Sequence, residues 1–401
     1  MIGSGEIYQA AKAPLEEKMN KTTRNAEYIK QYNRKKILSL LSIECLSRAE
    51  LARRTGLTRS AISIIVDELL GYQILIEHEA VAQKRGRSPA PLSLNPDRFC
   101  AVGVYLNRRS CQIGLVDIYG KCLVTRTIPI YPEEPVSEVL DEAAGQIRRI
   151  LCSHPASEKE LLGIGVSTPG PVNVQSGRIV NPPNFEQWHH VAICEEFKKR
   201  LHYPIYMSDN ADALAIYNMR YGHMKKNSDF MLLLVDSGIG SGIISNGKLH
   251  RGVFGMSPEI GHITIRHTGK PCSCGNIGCL EMYAAIPNLL AEFGGIYPSW
   301  EAVMEAAQNG EEDACRILDT EAGYLVAGIT SVINLFYIDT IVLAGDILSH
   351  FPLMECALRE KLPQQTLLKD LAPLAVMASD TRENYDIISA ANIVFTAHLD
   401  S

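Results

Sequence analysis

Residues 261–281 read GHITIRHTGKPCSCGNIGCLE. Cys272, Cys274 and Cys279 fall within eight positions, and His262 stands ten residues before the first of them. Three thiolates and an imidazole are a donor set that tetrahedral zinc accepts. Gly269, Gly275 and Gly278 permit the tight loops needed to wrap an ion. A redox pair would read C-x-x-C, which is absent, and three ordinary core thiols fit poorly in so polar and glycine-rich a stretch. The spacing therefore predicts zinc held by His262, Cys272, Cys274 and Cys279. Four protein ligands leave no open position, so the predicted metal is structural.

Around this stretch lies a chain of 401 residues, long enough for two or three domains with cores of their own. Its 46% hydrophobic and 21% charged residues are the composition of a soluble globular protein. No window approaches the roughly 18–20 apolar residues of a membrane span. The N-terminus lacks the apolar core of a secretory signal. Eleven cysteines, odd in number and scattered, argue against a disulfide scaffold. These features predict a cytoplasmic protein with no membrane partner. The first 18 residues, MIGSGEIYQAAKAPLEEK, differ in style from the rest of the chain and are read as a tail or appended extension, with Met19 as a natural start.

The net charge of −6 is uneven. Residues 20–99 hold 14 Lys and Arg against 8 Asp and Glu, a surplus of six, which leaves −12 for the remainder. A basic module that seeks a polyanion is thus joined to an acidic body. The module, residues 19–95, opens with the amphipathic stretch NRKKILSLL. In SRAELARRTG, Ser47 and Glu50 form a capping box and Gly56 a stop. In TRSAISIIVDELL, Thr58 caps a helix with Ile62, Ile65, Val66 and Leu69 on one stripe. Two short helices around a glycine turn describe a helix-turn-helix. Thr58, Arg59, Ser60 and Ser63 lie off the stripe as candidate groove and phosphate contacts. Lys84, Arg85 and Arg87, between two strand-like runs, suit the tip of a wing reaching a minor groove. A helical packing module joined to a basic solvated linker is the bland alternative.

From residue 99 the style changes. AVGVYLNRRSCQIGLVDIYGKCLV reads strand–turn–strand–turn–strand, with a helix near 135–152, and FMLLLVDSGIGSGIISNGKLHRG repeats the pattern from residue 230. This predicts a duplicated α/β body with a cleft between lobes, where ligands usually sit. The expected divisions are 96–225 for the first lobe, rejoined by 385–401, and 226–384 for the second. Gly238, Gly240 and Gly242 either expose amides to a phosphate or merely shape a hairpin.

The run C-x-C-G-x-x-G-C-x-E after E-I-G-H, with GIGVSTPGPV, NPPNFEQW and the helix-turn-helix, resembles the ROK family of repressors, open reading frames and sugar kinases. The likeness runs from about residue 28 to the C-terminus and is closest to the xylose-repressor branch. It implies a winged helix joined to a two-lobed, actin-like body. It also implies sugar contacts from Asn184, Glu259, Glu281 and His262, the last through the ring nitrogen not bound to zinc. The family's kinases carry N-D-A-N with the aspartate as general base. Here Asp209, Asn210, Ala211 and Asp212 fill those slots, so Asn210 stands where the base would be. An amide binds a hydroxyl but takes up no proton. Asp209 and Asn210 thus join the sugar-binding candidates, although Asn210 could simply cap the next helix and Asp209 is expected to point elsewhere. The kinases' D-x-G-G-T loop is replaced by YLNRR, residues 105–109. The resemblance then implies a non-catalytic, sugar-responsive repressor of carbohydrate-metabolism genes. Its partners would be operator DNA, a sugar or sugar derivative and a second copy of the chain, with pairing of dimers into tetramers a further option. Two alternatives stay open: a sugar kinase that keeps a DNA-binding head, and a DNA-binding adaptor controlled by a protein partner.

Overall fold

The computed structural model describes residues 21–79, 90–153, 160–225, 227–365, 367 and 373–399. The N-terminal tail and the wing-tip residues Lys84, Arg85 and Arg87 lie outside the described residues.

The head comprises α1 (Lys21–Leu41), β1 (Leu46–Ser47), α2 (Arg48–Thr55), α3 (Arg59–Gly71), β2 (Leu75–Glu77) and β3 (Pro91–Leu94). Ser47 and Glu50 form the expected capping box: the Ser47 amide donates to the Glu50 carboxylate at 2.9 Å and the Glu50 amide to Ser47 Oγ at 3.3 Å. Gly56 ends α2 at φ 75°, where a side chain would be strained. Thr58 caps α3 by accepting from the Ala61 amide at 3.2 Å. Ile62, Ile65, Val66 and Leu69 are buried as their spacing predicts. β3 pairs antiparallel with both β1 and β2, so the strands flanking residues 80–89 form the stem of a hairpin.

The body repeats one unit. In the first half β4 (Phe99–Leu106), β5 (Ser110–Asp117) and β6 (Cys122–Pro129) form an antiparallel meander, and α4 (Val136–Ser153) comes next. Then come β7 (Glu160–Thr168), the small hairpin β8 (Val172–Asn173) with β9 (Arg178–Ile179), α5 (Ile193–Arg200) and β10 (Ile205–Asp209). α6 (Asn210–Arg220) leads to the second half. There β11 (Phe230–Val235), β12 (Ile239–Ser245) and β13 (Lys248–Leu249) form the meander. Helices α7 (Glu281–Ala284), α8 (Ile286–Glu292), α9 (Trp300–Gln308) and α10 (Glu312–Phe336) precede β14 (Thr340–Ala344), α11 (Phe351–Gln365) and β15 (Ala375–Ala378). α12 (Tyr385–Leu399) comes last. The sheets run β10-β7-β4-β5-β6 and β13-β12-β11-β14-β15. In each half the strand that comes first in the chain lies at the centre, its hairpin partners fan to one side, and two parallel strands complete the other.

Two helices stitch this body together. α6 packs against β11 and β12 of the second sheet and against α12. α12 lies on β4 and β7 so closely that a Cβ on Gly103 would come 2.1 Å from the Ile387 carbonyl oxygen, and one on Gly165 2.0 Å from that of Ala390. Farther along, Phe395 and Leu399 of α12 share one hydrophobic core with Ile37, Leu41 and Leu46 of the head. The head is therefore seated on the body rather than tethered to it.

Candidate functional site

The cysteine stretch folds back on itself. Isolated bridges pair Thr264 with Cys279 and Pro271 with Ile277. Gly278, at φ 73°, approaches its neighbour so closely that a Cβ would meet the Arg266 carbonyl oxygen at 1.7 Å. His262 closes the 3₁₀ turn Ile260–His262. The donor atoms of His262, Cys272, Cys274 and Cys279 all lie within 4.8 Å of one another. Zinc–sulfur bonds of about 2.3 Å and zinc–nitrogen bonds of about 2.0 Å in a tetrahedron put sulfurs about 3.8 Å apart and nitrogen about 3.5 Å from sulfur. Cys274 and Cys279 Sγ stand 3.7 Å apart, and His262 Nδ1 is 3.6 Å from Cys272 Sγ. The cluster fits a tetrahedral metal ion, with Nδ1 turned inward. Asn276 donates to Cys279 Sγ at 3.4 Å, a supporting contact around the ligands.

The loop delivers Glu281 directly. Leu280, wholly buried, anchors the start of α7 against Gly328, where a Cβ would lie 2.5 Å from Leu280 Cδ2. Glu281 Oε2 then accepts the Ile239 amide at 3.0 Å, at the turn between β11 and β12.

A second group of carboxylates lies where the halves meet. Asp209, not Asn210, caps α6, accepting the Ala211 amide on Oδ1 at 2.8 Å. Its Oδ2 faces Gly170: a Cβ there would lie 2.2 Å from that oxygen and 3.5 Å from Glu259 Oε1. Asp209 and Glu259 thus flank the same glycine, against the expectation that Asp209 points elsewhere. Burial and the Asp212 carboxylate push Asp209 up to about 7. Burial, then Asp209, Glu281 and Asp212, push Glu259 up to about 8. Asp212 is raised by burial and held down in part by Arg251, whose Nε donates to it at 3.1 Å while Nη2 donates to Ser208 Oγ at 2.8 Å. Asn210 turns inward: Ser167 Oγ donates to its Oδ1 at 2.5 Å, and its Nδ2 donates to the Leu106 carbonyl at 3.2 Å. It ties the start of α6 to β7 and β4. Asn184 is exposed at φ 55°, in a turn braced by Phe185 stacked on Trp188 at 5.2 Å.

The glycine run has a different use from phosphate cradling. A Cβ on Gly242 would lie 2.6 Å from Ala215 Cβ, and one on Gly240 3.2 Å from Ala211 Cβ, so both glycines let α6 settle on β12. The amides at the turn itself are already taken, Gly238 N by Asp236 Oδ1 at 3.2 Å and Ile239 N by Glu281. Arg108 also reaches this turn, donating to Ser237 Oγ at 3.1 Å and to the Pro183 carbonyl at 3.0 and 2.8 Å. Two further carboxyls lie within the field of Asp236. Burial and Asp236 push Asp386 up to about 7 and raise Asp346, which Arg109 partly offsets.

On the head, Thr58, Arg59 and Ser60 are exposed at the start of α3, and Ser63 is half-buried. Ile64 is not among the sequence candidates, yet it is 66% exposed beside them. Its place off the buried stripe is the available signal. Arg108, Asp212 and Arg251 also escape sequence reasoning, since nothing local marks their distant partners.

The ROK family profile matches residues 101–396, and the chain belongs to that family. It is 27% identical over 390 residues to the xylose repressor of Caldicellulosiruptor bescii, covering 93% of this chain and 97% of that one. The crystal structure of a ROK family transcriptional regulator, a homolog of the E. coli MLC protein, superimposes with a TM-score of 0.78 at 25% identity, covering 93% and 97%. A ROK glucokinase from Streptomyces griseus, solved with glucose and AMPPNP, shares the fold at a TM-score of 0.64 and 22% identity over 73% of this chain and 98% of its own. No helix among the described residues is long and apolar enough to cross a membrane.

Proposed function

We propose that this chain is a cytoplasmic transcriptional repressor of carbohydrate-metabolism genes, responsive to a sugar and without phosphoryl-transfer activity. The observation that carries this reading is the state of the turn between β11 and β12. Its Gly238 and Ile239 amides bind the chain's own carboxylates and Arg108 lies against it, while Asn210 in the base position is locked to Ser167 and Leu106. Together with a helix-turn-helix head seated on the body, this favours sensing over catalysis. Arg59, Thr58 and Ser60 would meet phosphates and base edges, and Ile64 a thymine methyl. Lys84, Arg85 and Arg87 would extend the contact to the minor groove. As a homodimer the protein would set two recognition helices about 34 Å apart on a palindromic operator.

In the same reading, Asp209, Glu259, Glu281 and Asn184 accept hydrogen bonds from sugar hydroxyls, and the outward nitrogen of His262 donates one. Zinc on His262, Cys272, Cys274 and Cys279 keeps that wall rigid. Ligand changes DNA affinity only as far as it favours one arrangement of the halves. The test is fluorescence anisotropy on the chain's own promoter DNA at fixed salt, with D-xylose, D-glucose and their phosphates, without ATP. One sugar should change DNA affinity tenfold or more, about 1.4 kcal/mol of coupling. DNA binding indifferent to every sugar would refute the sensor, and ATP-dependent sugar phosphorylation would restore the kinase.

A further inference from the structure

The two halves open on equivalent hairpin turns, and these turns touch. Arg108 stands in the β4–β5 turn and Ser237 in the β11–β12 turn. The half-buried Arg108 guanidinium donates through Nε and Nη2 to the Pro183 carbonyl in its own half and through Nη1 to Ser237 Oγ in the other. Pro183 immediately precedes Asn184. Ser237 immediately precedes Gly238, where a Cβ would lie 2.9 Å from Glu281 Oε2 and 3.6 Å from Arg108 Nη2. One side chain thereby fixes the distance between a segment carrying Asn184 and a turn gripped by Glu281.

Two other ties between the halves differ from it. Arg251 is neutralised by Asp212, and Asn218 of α6 is bonded on both sides of its amide, to Ser379 Oγ at 2.8 Å and from the Asp380 amide at 3.1 Å. Arg108 instead bonds a carbonyl and a hydroxyl, both neutral, so its contacts exchange for water at less cost than an ion pair in the same setting.

We propose that Arg108 is a releasable latch across the seam and the positioning residue for the Asn184 and Glu281 sides of the site. This rests on the sugar-sensor reading for its purpose, and its geometry can be tested independently. When the latch is closed the two opening turns are held together; when the halves shift on binding, the Ser237 contact is the one that yields.

Hydrogen exchange on the full-length protein tests the latch without any ligand. Arg108→Met should speed amide exchange in residues 181–189 and 236–241 at least tenfold, leaving α3 and α10 unchanged. Arg108→Lys, which can reach one acceptor but not both, should restore part of the protection. Ser237→Ala should loosen 236–241 alone. Unchanged exchange in both segments of Arg108→Met overturns the proposal. Should that variant lose protection throughout β4 and β7, Ser237→Ala decides, and wild-type exchange at 236–241 then sinks the latch.

A second arm reads coupling. Trp188, buried beside Asn184, reports D-xylose or D-glucose binding by fluorescence, and operator anisotropy reports the response. Where the wild type shows a tenfold sugar effect on DNA affinity, Arg108→Met should show less than threefold even at sugar concentrations that saturate the Trp188 signal, and an undiminished effect counts against the latch. A wild type that ignores both sugars in both assays defeats the sensor reading, while the exchange data still judge the latch.

Discussion

The halves share one strand order but open on turns of opposite character. In the first turn Asn107 Oδ1 accepts the amides of Arg109 and Ser110, both at 2.8 Å. In the second, Asp236 Oδ1 accepts the Ser237 hydroxyl at 2.9 Å and the Gly238 amide at 3.2 Å. A short polar side chain folds the backbone in both. The first turn then projects a cation, whereas the second has a carboxylate inside it and another, Glu281, against its next amide. The two turns occupy the same place in each half and carry opposite charge, so that one turn donates to the other.

The largest difference between the halves is the metal cluster, which belongs to the second alone among the described residues. Replacing Cys279 with Ala, or chelating a metal ion loaded onto the four donors, should lower the second half's melting by more than about 10 °C while the first half's transition stays put. Calorimetry with metal analysis checks this, and equal loss in both halves would mean they melt as one.

Helix seating gives the next contrast. Gly103→Ala drives a Cβ into the Ile387 carbonyl and should cost about 3 kcal/mol, with Gly242→Ala costing nearer 2 because one of its neighbours is the Ala215 methyl. Urea unfolding would rank them, and the reverse order would show that α6, not α12, is the less yielding helix.

Acidity at the seam comes third. Asp209 in the folded protein holds its proton up to about pH 7 against an ordinary value of 3.8. The unfolded chain releases that proton near pH 4, so this group costs stability progressively as pH rises from 4 to 7, and by a constant amount above. Asp209→Asn should therefore stabilise the sugar-free protein by about 2 kcal/mol at pH 8 and hardly at all at pH 4. A pH-independent change would mean the carboxyl is ionised throughout.

The opening turns themselves give the smallest effect. Asn107→Ala should cost about 1 kcal/mol through two lost backbone bonds. Asp236→Ala should cost less, because it also removes a charge that helps push up Asp386. Equal losses in urea would erase the distinction drawn between the turns.

What the residues reveal by themselves is local. The Ser47–Glu50 box, the Gly56 stop and the α3 stripe each span a few positions, and the four metal donors fall within eighteen residues. The glycines at 240 and 242 are ambiguous in sequence because an absent side chain serves a phosphate and a packed helix equally well; only the position of α6 distinguishes them. The chemical inertness of Asn210 is legible from its amide, but its partners Ser167 and Leu106 come from other strands. Arg108 is a clear case, with partners 75 and 129 residues away. Fold class can be read from a repeating pattern, whereas contact across a seam cannot.

The seating of the head on α12 also bears on how the protein is made. The ribosome releases Ile37, Leu41 and Leu46 early, yet one wall of their core, Phe395 and Leu399, emerges only after both sheets have been synthesised. A nascent chain stalled before Tyr385 carries α3 without the helix that completes the core of the head. Translation order thus delays the final seating of the head until the body that supports it is present.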